Sequence, residues 1–450
     1  MIQGYLIYFI VLIAGLWIAS LVITGDIFSP VSVFCLMFLF SSFCALYSTN
    51  KWNFAMSIDT FQALTYGVLS FFIPSVLFHV VMIKKRDYYL VEDEKSVEED
   101  SYSPECRLVE VSSNKAFLIV LIFFVCTAVY FFFLTRAVGR VELSRIASVY
   151  RNSMISGVGN QISFVGRLMM IIIRAIANVL VCIIINNFFA TRSFGNHSFI
   201  LFFCCSAYVL LTLLSGERTS AIRFVGVMVL SFSIFWQRNS YYRRLVNIKY
   251  IILSVLGALV LLYAFSAIRF FVGRSSQLDI FDYVSMYAGG SIYSFDRFIN
   301  SYIRPTFSGT KTFVGLYNNF ARLGFGDLLS INRDTITIQN LNIYIGNVYT
   351  CFYDYYSDYG PIGMVLLVCC YSCIINGMYY RAKFAEDRTL LKTIEYTFFA
   401  TTLFFVSFTE QFFTSYVTLS TIESLIIIKI VYCFFVSRSV GFLRYAISKD

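Results

Sequence analysis

Apolar stretches of about twenty residues follow one another along almost the whole of this chain, and that is the length a helix needs to cross the hydrocarbon core of a bilayer. No water reaches that core, so each backbone N–H and C=O must be satisfied within the protein; only helices and closed barrels achieve this. Barrel strands alternate polar and apolar residues over short segments. Runs such as Tyr5–Ile23 and Ala116–Leu134 are apolar throughout. The 450 residues are 58% hydrophobic and 14% charged, with a mean hydropathy of +0.72, which lies outside the range of soluble domains. The expected fold class is all-α: a polytopic integral membrane helical bundle of about eleven to twelve transmembrane helices with a long external loop.

The expected helices are Tyr5–Ile23, Val31–Tyr47, Phe61–Ile83, Ala116–Leu134, Leu168–Phe189, Phe199–Leu214, Ser220–Trp236, Tyr250–Ile268, Pro361–Tyr380, Ile394–Phe408 and Leu419–Phe435. A further re-entrant or half-length helix has room in the long loop. The first run has no basic segment before it and no small-residue cleavage pattern after it, so it reads as a retained helix rather than a signal peptide.

Orientation follows from Lys and Arg in short loops. Lys84, Lys85 and Arg86 follow the third helix; Arg238, Arg243, Arg244 and Lys249 follow the seventh. Arg381, Lys383, Arg388 and Lys392 follow the ninth, and Arg438 and Arg444 the last. These loops fall on one side, read as cytoplasmic. The chain then divides into N-terminal transmembrane helices (1–83), a cytoplasmic charged loop (84–115), and central helices with an external Arg-rich loop at 135–167 (116–268). A large external loop (269–360) and C-terminal helices with a cytoplasmic tail (361–450) complete it. The 84–115 segment is mixed in charge and without apolar periodicity, as expected of a solvated linker. The net charge of +9 reads as loop charge that orients helices; nucleic acid is not an expected partner. Most of the twelve cysteines lie inside apolar runs. Cys370 and Cys373 have CxxC spacing but no second pair and no nearby His, so neither a metal site nor a disulfide framework is expected.

The interval from Arg269 to Gly360 is far longer than a connection between helices requires, and loops of that length are more often functional. It carries Arg297 and Arg304 among six arginines, and Asp282, Asp296, Asp354 and Asp358 among its carboxylates. The other external loop carries Arg136, Arg140, Arg145, Arg151 and Arg167 and no Lys; if helical, part of it is amphipathic and lies on the membrane. Basic residues are disfavoured outside, and the choice of Arg over Lys favours a planar bidentate partner such as phosphate.

Two further elements point to anion binding. Ser215-Gly-Glu-Arg-Thr-Ser-Ala-Ile-Arg223 opens the seventh helix, where free backbone N–H groups beside Arg218 make an anion site. Arg223 is about 140° around the helix from Arg218, which makes Arg218 the better ligand candidate and a carboxylate an alternative partner for Arg223. Arg174 lies inside the fifth helix, and an arginine at that depth is functional by default because its burial is costly.

These pieces together resemble the Wzy-type O-antigen polymerases, the oligosaccharide repeat-unit polymerases of bacterial envelopes. The resemblance is carried by Ser215-Gly216-Glu217-Arg218-Thr219-Ser220 before a helix and by Gly289-Gly290-Ser291-Ile292-Tyr293 in the outer loop. Asn347-Val348-Tyr349-Thr350, running on to Asp358-Tyr359-Gly360-Pro361-Ile362-Gly363, adds to it, as does the layout of a long outer loop between late helices.

The resemblance implies a glycosyltransferase of the bacterial inner membrane that works without metal or other cofactor. It would join undecaprenyl-pyrophosphate-linked oligosaccharide repeat units at the periplasmic face for lipopolysaccharide biosynthesis, with membrane lipid and a chain-length regulator protein as partners. Arg218, Arg174, Arg140, Arg297, Arg304 and Arg223 would hold the pyrophosphate. One of Asp282, Asp296, Asp354 or Asp358, with Glu217 behind them, would deprotonate the acceptor hydroxyl. Tyr293 and Tyr356 would stack on sugar faces. An O-antigen ligase shares the layout but relies on a histidine in the large outer loop, and this chain has only His79 and His197, both placed inside. A flippase for the same lipid-linked sugar is the rival of another class. It would spread polar residues along its helices and has no need of so long a loop.

Overall fold

The computed structural model describes residues 4–93, 106, 108–139, 141, 146, 148–150, 162–193, 198–239, 280–301, 304–329, 336–338, 343–384 and 390–436. Seven long helices come first: α1 (Gly4–Thr24), α2 (Pro30–Trp52), α3 (Ile58–Asp93), α4 (Ser113–Val138), α5 (Phe164–Thr191), α6 (Ser198–Leu214) and α7 (Arg218–Asn239). The stretch expected as the outer loop, called the outer segment below, forms α8 (Ile280–Ala288), α9 (Gly290–Ser301), α10 (Val314–Arg322) and an antiparallel hairpin of β1 (Ile336–Ile338) and β2 (Ile343–Gly346). The chain continues as α11 (Phe352–Phe384), α12 (Leu390–Ala400), a 3-10 turn (Thr401–Phe405), α13 (Phe412–Tyr416) and α14 (Leu419–Val436). Seven helices among the described residues are long and apolar enough to cross a membrane: α1 to α5, α7 and α11; α6 is a shorter apolar helix. The protein is therefore an all-α multi-pass membrane protein.

Two apolar cores share one wall. The first gathers α1, α2, α3, α9 and α11. The second gathers α4, α5, α6, α7 and α14. α12 stands between them because its two faces differ. Leu390, Ile394 and Phe398, spaced by four, pack into the second core, while Tyr396 and Ala400, followed by Leu403 of the 3-10 turn, pack into the first.

Side-chain contacts sort the helix ends onto two faces. On the first, Lys383 Nζ of α11 lies 3.9 Å from Asp26 in the α1–α2 turn, Arg238 at the end of α7 donates to the Ala382 carbonyl, and Lys115 at the start of α4 donates to the carbonyl of Phe435 in α14 at 3.0 Å. On the second face, Lys51 at the end of α2 pairs with Asp282, and Asp296 accepts from the backbone N–H and hydroxyl of Ser57 at 2.8 and 2.9 Å, at the start of α3. The basic ends of the seventh and ninth expected helices thus lie together, as their charges imply, with the segment that packs on Lys51 and Ser57 opposite.

Several expected boundaries change. The Tyr250–Ile268 helix and Arg140 lie outside the described residues. α3 continues through Asp93, so the first ten residues of the charged 84–115 segment are helical rather than linker. Its far end is docked: the Val109 N–H and C=O pair with the Asn187 side-chain amide of α5, each at 2.9 Å, because Cys106, Val109 and Val111 present apolar side chains to the second core. The Ile394–Phe408 helix breaks after Ala400. The outer loop ends at Phe352 rather than Gly360: α11 begins there and kinks at Gly360 (φ 70°, ψ −170°), just before Pro361, a backbone angle that L side chains rarely adopt.

The outer segment is itself folded, and α8–α9 is its half-length helical element. A β-carbon on Gly289 would stand 2.4 Å from Ala45 N, so only glycine lets this corner press against the α2 backbone. Ser41 of α2 donates to the Ala288 carbonyl at 2.6 Å. The Gly289 contact at Ala45 lies seven residues inside the end of α2, about 10 Å along its axis.

Candidate functional site

Of the four aspartates, three are buried and the fourth, partly exposed, is paired. Asp282 is paired with Lys51. Asp296, on α9, is 5% exposed; besides Ser57 it accepts from Asn300 Nδ2 at 3.1 Å. Asp358 is fully buried and accepts from the Lys311 and Thr312 N–H groups at 3.1 and 2.7 Å, which pins the loop before α10. Lys311 Nζ in turn donates to Tyr353 and Ser357 on α11. Asp354, one helical turn before Asp358, is also fully buried; neither belongs to a solvated turn. Among the described residues no three His, Cys, Asp or Glu side chains gather with metal-ligand spacing.

Tyr293 is 3% exposed and meets Trp52 and Phe54 edge-on at 6.0 and 5.3 Å. Arg297 lies over the ring and donates to its hydroxyl at 3.1 Å, which leaves Tyr293 no face for a sugar. Tyr356 keeps partial exposure beside Phe295 and Phe298. Arg297 and Arg304 are both exposed on the outer segment. The Gly289–Tyr293 motif is thus a packing device. So is the segment around Tyr349, which stacks on Tyr353 at 4.1 Å.

The arginines of the membrane helices behave differently. Arg174 on α5 and Arg223 on α7 line one cavity, together with Asn178, Tyr208, Ser220, Phe224, Val227, Phe398, Thr401 and Tyr416. Helical spacing brings these side chains inward. Arg174 and Asn178 are one turn apart on α5. Ser220, Arg223, Phe224 and Val227 form an i, i+3, i+4, i+7 stripe on α7. α12, the 3-10 turn and α13 close the other side through Phe398, Thr401 and Tyr416, the last two hydroxyls lying 3.1 Å apart. A water-sized sphere has about 20 Å³ in which its centre can move, room for a water or two.

Each guanidinium is incompletely satisfied by protein. Arg223 Nη2 donates to Gln411 Oε1, and its guanidinium lies 5.1 Å from the Tyr416 ring centroid and 5.9 Å from that of Phe405. The expectation that Arg223 pairs with a carboxylate is therefore corrected: its partner is the amide of Gln411. Arg174 is within reach of the Tyr208 hydroxyl and the charge of Glu217. The Nε atoms of both arginines are buried and make no hydrogen bond.

Glu217 marks the mouth of the site. The chain turns at Gly216 with φ 74°, and α7 begins at Arg218. Glu217 is exposed and accepts from Ser220 Oγ at 2.8 Å, bridging the first turn. Tyr130 and Tyr150 also feel its charge. The side chain of Arg218 lies outside the described residues. Of the six arginines expected to hold an anion, the structure thus brings Arg174 and Arg223 together and sets Arg297 and Arg304 elsewhere.

Sequence reasoning missed Asn178, Tyr208, Gln411 and Tyr416. Asn178 carried a signal, being one turn from Arg174 inside an apolar run. Gln411 and Tyr416 carried none. No family model, curated protein or solved structure matches this chain.

Proposed function

We propose that this protein is a polysaccharide polymerase of the bacterial inner membrane, joining undecaprenyl-pyrophosphate-linked oligosaccharide repeat units at the periplasmic face as Wzy-type enzymes do. The supporting observation is the convergence of Arg174 and Arg223 on one cavity, each with a buried Nε lacking a hydrogen bond. Two guanidiniums in an apolar bundle beside a single exposed carboxylate leave an excess of positive charge. An anion with several oxygens, such as a diphosphate, supplies the missing acceptors in the geometry arginine favours. The second face, where α7 begins, is then the periplasmic side.

In the transfer, the bond between the anomeric carbon and the pyrophosphate oxygen breaks, and its electron pair stays on the diphosphate. The acceptor hydroxyl oxygen bonds to that carbon and loses its proton to a base. The arginines stabilise the charge that develops on the leaving group. Glu217 replaces the outer aspartates as the base we favour, since it is exposed beside the cavity whereas they are buried or paired. The cavity holds a water or two, so a diphosphate with its sugar enters only once the cavity widens.

The experiment is the glycan ladder of a deletion strain complemented with wild type, Arg174→Lys or Arg223→Lys. A single repeat on the lipid core in the deletion and in both variants, with a full ladder in wild type, supports the polymerase. Loss of all repeats from the core points to a ligase. Lipid-linked units stranded inside point to a flippase.

A further inference from the structure

The outer segment has an apolar surface that the cavity does not use. On α10, Leu316, Tyr317, Phe320 and Leu323 are all exposed and fall within about 120° of the helix circumference. Three contacts extend the patch beyond the helix. Tyr317 donates to the Ser308 carbonyl at 2.8 Å, beside Phe307, which is 71% exposed. The Phe325 N–H returns to the Phe320 carbonyl at 2.9 Å, and Phe325 is 73% exposed. The Asn318 amide pairs with the backbone of Leu329 at 2.9 and 2.7 Å, holding the exposed Leu328 alongside. A monomer in water rarely shows so many large apolar side chains in one patch.

The position of α10 identifies what covers this face. A β-carbon on Gly315 would stand 2.3 Å from the Thr414 carbonyl and 2.5 Å from Thr418 Cγ2. The helix therefore lies against α13 and the residue just before α14. From there the outward stripe of α14 begins: Leu419, Ile422, Ile426 and Ile430, all exposed. α10 thus lies beside the start of this exposed apolar stripe, and its own apolar face, centred about 140° around the helix from Gly315, is turned away from α13. Arg322 is exposed on the other side of α10, where a headgroup phosphate can meet it.

We infer that α10 and its flanking turns form an interfacial membrane anchor, with Phe320 and Leu323 among the acyl chains and Arg322 at the headgroups of the leaflet bordering the second face. The inference is independent of what the arginine cavity binds. The anchor is built from the loop itself, and it fastens the 304–329 stretch to the membrane beside α13, whose Tyr416 lines the cavity.

The test is photocrosslinking of the full-length purified protein in nanodiscs of phosphatidylethanolamine and phosphatidylglycerol. p-Benzoylphenylalanine replaces Phe320, Leu323 or, as the reference for lipid contact, Ile426, and adducts are identified by mass spectrometry. Phospholipid adducts at Phe320 and Leu323 in yields comparable to Ile426 support the anchor. Lipid adducts at Ile426 alone overturn it, as do crosslinks from Phe320 and Leu323 to a second copy of the chain.

Discussion

Replacing Arg174 with methionine separates a ligand-binding arginine from a structural one. The guanidinium lies on a membrane helix with its Nε buried and not hydrogen-bonded. A buried N–H left unsatisfied costs about 1–3 kcal/mol, and desolvation of the charge adds several more. On the other side of the balance stand a bond to Tyr208, about 1.5–3 kcal/mol for a charged group, and attraction to the exposed Glu217, about 0–1 kcal/mol. Methionine fills similar volume without a charge. The expected change in stability therefore runs from neutral to a gain of about 4 kcal/mol. Activity moves the other way, because loss of one preorganised contact to developing charge costs about 10²–10³ in rate. Thermal unfolding in detergent, followed by tryptophan fluorescence, and extension of lipid-linked repeats by the same preparation are the paired measurements. Arg174→Met that unfolds at clearly lower temperature than wild type and still extends repeats would refute the reasoning, because the arginine would then stabilise the bundle and hold no ligand.

Three other outcomes are expected. Asp26→Asn leaves Lys383 buried without its carboxylate and lowers stability by about 3–5 kcal/mol, while Asp26→Asn with Lys383→Met recovers most of it; equal unfolding temperatures for the single and double variants would count against the buried pair. Gly289→Val forces a β-carbon 2.4 Å from the α2 backbone and costs at least about 1–3 kcal/mol, whereas Gly15→Val, with open space around it, leaves unfolding nearly unchanged; a similar loss from both would remove the claim of close approach. Glu410, just past the 3-10 turn, has its carboxyl pushed up by burial, against the opposing bonds from Thr414 and Phe413. A carboxyl whose folded value lies above its unfolded value contributes stability that is full at low pH and is lost as pH rises through the folded value. Glu410→Gln should flatten the stability–pH curve above the ordinary carboxylate range, and an unchanged slope would show that another group titrates.

The membrane helices were legible because the bilayer demands a fixed length of apolar residues, and that demand is written locally. The relative sides of their ends were legible from Lys and Arg alone, and the contacts of Lys383, Arg238 and Lys115 agree. Where the chain breaks was not. Thr401 and Thr402 look like ordinary residues of a membrane helix, yet α12 stops before them and the chain tightens into a 3-10 turn. Arg174 and Arg223 each stood out as a charge in an apolar run. Their meeting in one cavity, and the pairing of Arg223 with Gln411, 188 positions away, depended on how α5, α7 and α13 pack. The outer aspartates show the converse. As residue types in a polar loop they suit a base, but whether a carboxylate is free or binds a backbone turn, as Asp358 does at Thr312, is decided by which distant N–H groups the fold brings within hydrogen-bonding range. Hydropathy acts through neighbours in sequence, so the chain alone determines it; burial and hydrogen-bond partners act through neighbours in space, which only the tertiary structure supplies.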